Sequence, residues 1–161
     1  MAAAKPLILI AIGGAIAGTL DIVFACAFWA IKANVAPQRI LQAIAAGVLG
    51  KASFQGGIAS AALGLTLHFV IATAMSATYW LMVRNQPYLL ARPWRAGAAF
   101  GLAAYVVMSF AVVPLSAAGA APKDTLWITL SVLAHVLLVG IPIALFARRA
   151  GGAAGGAQAS A

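Results

Sequence analysis

Glutamate is missing from this chain, and aspartate occurs only twice, as Asp21 and Asp124. Charged residues of both signs make up 7% of 161 residues, against about 25% in a typical soluble domain. So little charge cannot coat a water-facing surface, which leaves a polytopic membrane protein as the class that fits. Cysteine occurs once, as Cys26 inside an apolar run. An intramolecular disulfide and a paired-thiol relay are therefore excluded, and Cys26 reads as a small packing residue. No serine sits in a nucleophile-elbow pattern, which disfavours a Ser-based triad, and no enzyme activity is expected. Its length allows one domain.

What is abundant is hydrophobic, at 65% of the residues. A helix crosses bilayer hydrocarbon in about 20 apolar residues. Four runs qualify: residues 7–31, 58–83, 96–115 and 126–146. The expected fold is all-α, a four-helix transmembrane bundle. Trp29, Trp80, Trp94 and Trp127 all fall at the ends of these runs, where an indole keeps its ring in hydrocarbon and its N–H near water. Lys5, the apolar stretch after it and Ala15-Ile16-Ala17 look like a cleavable leader. The run continues to Ile31, however, and Val23-Phe24-Ala25-Cys26 makes a poor lipobox, so the segment reads as a retained first span.

The net charge of +8 raises the question of nucleic acid. Nine of the ten basic residues cap the ends of apolar runs, Arg39 sits in a short connecting segment, and together they form no stripe or aromatic-plus-basic platform, so no nucleic-acid binding is expected. With both termini cytoplasmic, the inside carries Lys5, Arg84, Arg92, Arg95, Arg148 and Arg149. The outside carries Lys32, Arg39, Lys51 and Lys123. This bias favours both ends inside. Arg84, Arg92 and Arg95 crowd the second connection, where they can set topology and meet anionic lipid headgroups.

Between the first two spans, residues 37–49 read as a short amphipathic interfacial helix. Pro37 suits its first turn, and Ile40, Ile44 and Val48 recur every four residues. Gln38, Arg39 and Gln42 lie elsewhere on the wheel, and Gly50 ends it. Residues 150–161 contain Gly, Ala, Ser and Gln only, a composition that reads as a disordered tail. Pro114 and Pro142 near the ends of spans three and four read as terminators.

Helices in lipid associate by close backbone approach at small residues. Gly14 and Gly18 form such a ridge on span one, and Gly97 and Gly101 on span three. Ser60, Gly64, His68, Ala72 and Ser76 line one face of span two. These ridges suit a homo-oligomer as well as an intrachain bundle.

Asp21, His68 and His135 lie inside spans one, two and four, where a charge must be neutral, paired or beside water. At about 1.5 Å per residue they sit roughly 21, 22 and 17 Å from the cytoplasmic side, close to one layer. Asp21 shares the face of Gly14 and Gly18, and His68 is centred on the small face of span two. If those faces meet, Asp21 contacts His68. Ser131 precedes His135 by one turn, and Tyr105 extends the ridge of span three, placed to donate a hydrogen bond inward. Three readings stay open: hydrogen bonds that only fix helix register, a protonation site for proton-coupled transport or pH response, and a haem or metal site using the two histidines. The third lacks further ligands, and no cofactor is expected.

The order of these features resembles the YagU-type inner-membrane proteins of bacteria. The similar stretches are Ile10–Gly18, Leu67-His68-Phe69 leading to Tyr79, and Gly97–Tyr105. Phe110–Leu115 with Pro114 and Ala134-His135-Val136 running to Arg148-Arg149 also match. The present chain is shorter and lacks a large loop between its first two spans. The resemblance implies a bacterial inner-membrane location with four spans and no particular reaction.

Overall fold

The computed structural model describes residues 4–119 and 124–158, with side chains over 5–119 and 124–152. It is all-helical, with no strand among the described residues. Four helices are long and apolar enough to cross a membrane: Lys5–Ala33, Gly57–Val83, Pro93–Leu115 and Thr125–Gly152. The protein is a multi-pass membrane protein with the expected four-helix bundle. Each helix extends the apolar run that announced it by one to seven residues in all, because alanine, lysine and arginine in the flanks continue a helix readily and Pro93 suits a first turn.

Packing follows the inside-out logic of a lipid solvent. The buried hydrophobics are mostly alanine, while large apolar side chains such as Ile31, Ile58 and Phe110 stay on the outside. The first span contacts both the second and the fourth, and the third packs on the fourth. Tyr79 and Phe100 meet edge to face at 4.9 Å and join the second span to the third. Ile10, Tyr79, Val83, Ile143, Ala147 and Ala150 form the tightest part of the core, near the end where Lys5 and Arg148 lie.

The five glycines expected to pack helices are all used within the chain. A Cβ on Gly14 would stand 2.7 Å from the Thr73 backbone, and one on Gly18 would stand 3.0 Å from Ala72 Cβ. Gly97 and Gly101 press against the fourth span at Gly140–Ile141 and at His135–Val136. Gly64 takes a partner the sequence did not reveal: it faces the Leu41 carbonyl of the short helix Pro37–Leu49, not the first span. The small face of the second span is thus divided. Ser60 and Gly64 receive the short helix, while Ala72 and Ser76 receive the first span, where Ser76 Oγ donates to Ile10 O at 2.8 Å.

The short helix has the expected bounds, and Gly50 ends it with φ +58 and its N–H on Ala46 O. Its orientation corrects the sequence reading. Gln42, assigned to the polar side, is buried against the second span and donates to Gly57 O at 3.1 Å and Ser60 Oγ at 3.4 Å. Small Ala45 and Ala46 complete that face, and Val48 points away, 64% exposed. Close approach to Gly64 decides the matter, since a face of alanines fits there and one of isoleucines does not. The Ala117 amide, donating to Gly47 O at 3.0 Å, ties this helix to the end of the third span.

Both span prolines follow a π turn, at Met108–Val112 and at His135–Gly140. The residue before each proline, Val113 or Ile141, donates to the carbonyl five residues back, at Met108 or Val136. Proline clashes with the carbonyl four residues earlier, and widening the turn removes the clash without ending the helix. Pro114 does lie beside a helix end, at Leu115. Pro142 does not: contrary to the expectation of termination, the helix continues through it to Gln158. Residues 150–158 are accordingly helical rather than the disordered tail expected. Ala150 is fully buried and Gly151 lies against Leu90, which anchors the first turn of that extension. Residues 159–161 of the expected tail, and Lys123, lie outside the described residues.

The opposite end is closed by an aromatic and ionic knot. Trp29 and Trp127 lie 5.3 Å apart, Phe24 stacks on Trp127 at 5.9 Å, and Lys32 pairs with Asp124. Asp124 also caps the fourth span, accepting from the Trp127 amide at 2.8 Å. The Lys32 hydrogen bond, and then the Trp127 amide, hold the Asp124 carboxyl below its usual 3.8. A lowered folded value means that this contribution is complete above the unfolded value and is lost as pH falls through the folded one. Thermal unfolding followed between neutral pH and pH 3 should therefore show an acid-side loss that shrinks in Asp124→Asn. With Asp124 partly exposed, added salt should weaken the effect. An unchanged acid limb in the variant would refute the pair's role.

Candidate functional site

The bundle brings three of the four anticipated polar residues together and holds the fourth one turn away. His135 opens the π turn of the fourth span, and the glycine ridge of the third span lies directly against its backbone. Tyr105, one turn beyond Gly101 on that ridge, sets its ring edge-to-face with the His135 imidazole at 5.4 Å. From the first span, Asp21 Oδ1 stands 4.0 Å from His135 Nδ1. The two side chains are 23% and 18% exposed, so neither is sealed into the core.

The expected Asp21–His68 pair does not form. His68 Nε2 lies 2.8 Å from Gly18 O, one turn before Asp21 on the first span. A carbonyl can only accept, so Nε2 carries a proton. The reason is the closeness that Gly18 permits. With the second span drawn in until Phe69 and Ala72 touch the Gly18 position, the imidazole meets backbone before it can reach the carboxylate.

His135 is held in the same manner. Its Nδ1 lies 2.9 Å from Ser131 O of the same helix, so Nδ1 carries a proton. That proton has two acceptors within a small displacement: the Ser131 carbonyl it now uses and the Asp21 carboxylate about an ångström further away. Asp21 has no hydrogen bond of its own among the described residues. Ser131 Oγ is itself buried without a partner among the described residues. Tyr105, anticipated as a hydrogen-bond donor, makes an aromatic contact with His135 instead.

Two site features were not anticipated. Gly140 closes the π turn against the Gly97 carbonyl and the Gly101 backbone. Gly140 and Ala144 are spaced as a small-xxx-small pair, a signal that was present in the sequence. Gly13 marks the junction of three helices: a Cβ there would lie 2.8 Å from Phe146 Cβ and 3.3 Å from Ser76 Oγ. Among the described residues, no three His, Cys, Asp or Glu side chains gather as a metal cluster.

No family model, curated protein or solved structure matches this chain.

Proposed function

We propose that this protein is a small, non-enzymatic inner-membrane protein in which Asp21 and His135 form a protonation site serving proton-coupled transport or a response to pH. The observation that carries the reading is the 4.0 Å approach of a carboxylate with no hydrogen bond of its own to an imidazole nitrogen, both inside membrane-spanning helices. Membrane interiors disfavour ionisable groups, so one placed beside another at mid-span is a functional candidate. Tyr105 orients the imidazole, and Ser131 O is the alternate acceptor of its proton. The likeness to the YagU-type proteins and the excess of basic residues at one end support a bacterial inner membrane with both termini in the cytoplasm.

A second reading rests on side chains bonded to backbone carbonyls of a neighbouring helix, His68 on Gly18 O and Ser76 on Ile10 O. Such bonds fix helix register with no chemistry, and the protein then acts as a structural or partner-binding subunit.

Proteoliposomes carrying an internal pH dye separate the two. The parent should collapse an imposed proton gradient faster than protein-free liposomes. Asp21→Asn and His135→Gln should slow this by about a hundredfold, the size typical of removing a positioned proton-transfer group. His68→Gln should change it little, since His68 is committed to Gly18. Each variant is checked by gel filtration and circular dichroism. A parent indistinguishable from protein-free liposomes, or a fully active Asp21→Asn, sinks the proton reading and leaves the structural one.

A further inference from the structure

One end of the bundle carries an uncompensated cationic surface. The first span starts there at Lys5, the second ends at Val83, the third starts at Pro93, and the fourth runs past Arg148 and Arg149. The short helix Pro87–Ala91 between the second and third spans is fastened to the same end. Leu89 and Leu90 pack on the core, and Gly151 of the fourth span touches Leu90. Arg84, Arg92, Arg95, Arg148 and Arg149 are thereby collected on one face, and all are exposed. Both aspartates are elsewhere: Asp21 lies inside the bundle, and Asp124 pairs with Lys32 at the opposite end. None of the five guanidiniums has an ion-pair or hydrogen-bond partner among the described residues. Two lie over rings, Arg92 at 3.8 Å from the Tyr88 centroid and Arg149 at 5.2 Å from that of Phe146. A guanidinium over a ring keeps its in-plane N–H donors free. Trp94 and Tyr88 stand exposed beside them, 61% and 65%, as amphipathic rings do at headgroup depth.

We infer that this face is a binding surface for the phosphates of anionic phospholipids in the adjoining leaflet. Arg84, Arg92 and Arg95 hold headgroups around the Pro87–Ala91 helix, and Arg148 and Arg149 hold them beside the fourth span. Guanidinium matches phosphate by paired N–H donors, and each basic residue near an anionic leaflet adds attraction on the scale of one charge. A lipid is favoured over a soluble phosphate or nucleic acid because the exposed rings and the apolar spans below place this face at the membrane boundary.

The test uses the whole protein in phosphatidylcholine vesicles containing a minority of phosphatidylglycerol, with trace spin-labelled phosphatidylglycerol or phosphatidylcholine. The parent should immobilise the labelled phosphatidylglycerol preferentially. The double variant Arg92→Gln/Arg95→Gln should lose that preference several-fold, while Lys32→Gln/Lys51→Gln at the other end keeps it. High salt should reduce the parent's preference by more than the double variant's. Equal preference in parent and double variant overturns the proposal. So does displacement of the label by inorganic phosphate or a short oligonucleotide, which would assign the face to a soluble phosphate. Circular dichroism and gel filtration establish that the variants are folded.

Discussion

Gly101→Leu should separate the third span from the fourth at a cost of about 3 kcal/mol or more, beyond the range typical of overpacking a side-chain interior. The obstruction is backbone. Even a single Cβ at Gly101 lands on the His135 carbonyl oxygen and comes within 2.8 Å of Val136 Cα. A backbone obstacle cannot rotate away, so Gly101→Ala should already cost about 1–3 kcal/mol. Gly18→Ala is the informative contrast. There the obstacles are Ala72 Cβ at 3.0 Å and the Phe69 ring at 3.1 Å, and a ring can shift, so the cost should fall below that of Gly101→Ala. At Gly152, helical with open space around it, alanine should be neutral or stabilising by up to about 1 kcal/mol through helix propensity. Reversible unfolding titrations in detergent micelles measure the series. If Gly101→Ala proves no worse than Gly152→Ala, the third and fourth spans do not cross at Gly101.

The same substitution reaches the polar site. The atom displaced belongs to His135, whose ring contacts Tyr105 and whose Nδ1 bonds to Ser131 O with Asp21 4.0 Å away. The π turn ahead of Pro142 places His135 where three spans touch. Helix packing and the candidate proton site therefore rest on one stretch of backbone, His135–Gly140, and the glycines that allow contact there also set the imidazole's position.

Much of this was legible in the sequence because lipid imposes simple rules. Residue count alone located the four spans, and four-residue spacing located the ridges of Gly14, Gly18, Gly97 and Gly101. The scarcity of acids drew attention to Asp21. Periodicity names a face, however, and not what covers it. The face running from Ser60 to Ser76 gave no sign that the short helix would take half of it, and this is why Gln42 was assigned outward. The pairing of Asp21 was misjudged for a related reason. Depth and helical phase allowed either histidine, and the choice turned on how near Gly18 lets the second span come. The π turns were hidden because a proline marks a lost hydrogen bond without saying whether the helix stops or widens. Leu115 and Ile141 show that both outcomes occur in this chain.

Gly64→Leu should release the short helix while leaving the bundle assembled. A Cβ at Gly64 overlaps the Leu41 carbonyl oxygen and lies 2.7 Å from Leu41 C and 3.2 Å from Ala45 N, so a leucine there must push the helix Pro37–Leu49 off the second span. Gln42 then loses its bonds to Gly57 O and Ser60 Oγ, and the Ala117–Gly47 bond goes with them. Polar bonds of this kind in membrane proteins contribute about 0.6 kcal/mol each on average and up to about 1.7, so the overlap dominates and the bonds add to it. The crossings of the first span with the second and fourth, and of the third with the fourth, do not involve Gly64. They should therefore survive. Hydrogen exchange should rise across residues 37–49 by about a hundredfold, which is about 2.7 kcal/mol of lost local protection, while residues 10–30 and 97–111 stay protected. Trypsin should cut at Arg39 and Lys51 faster than in the parent. Gly47→Ala supplies the control, because its nearest neighbour is Ser116 at an ordinary 3.8 Å, and it should leave both readouts unchanged. Parent-like exchange of residues 37–49 in Gly64→Leu would mean that the short helix is held by the connection to the third span and not by the second.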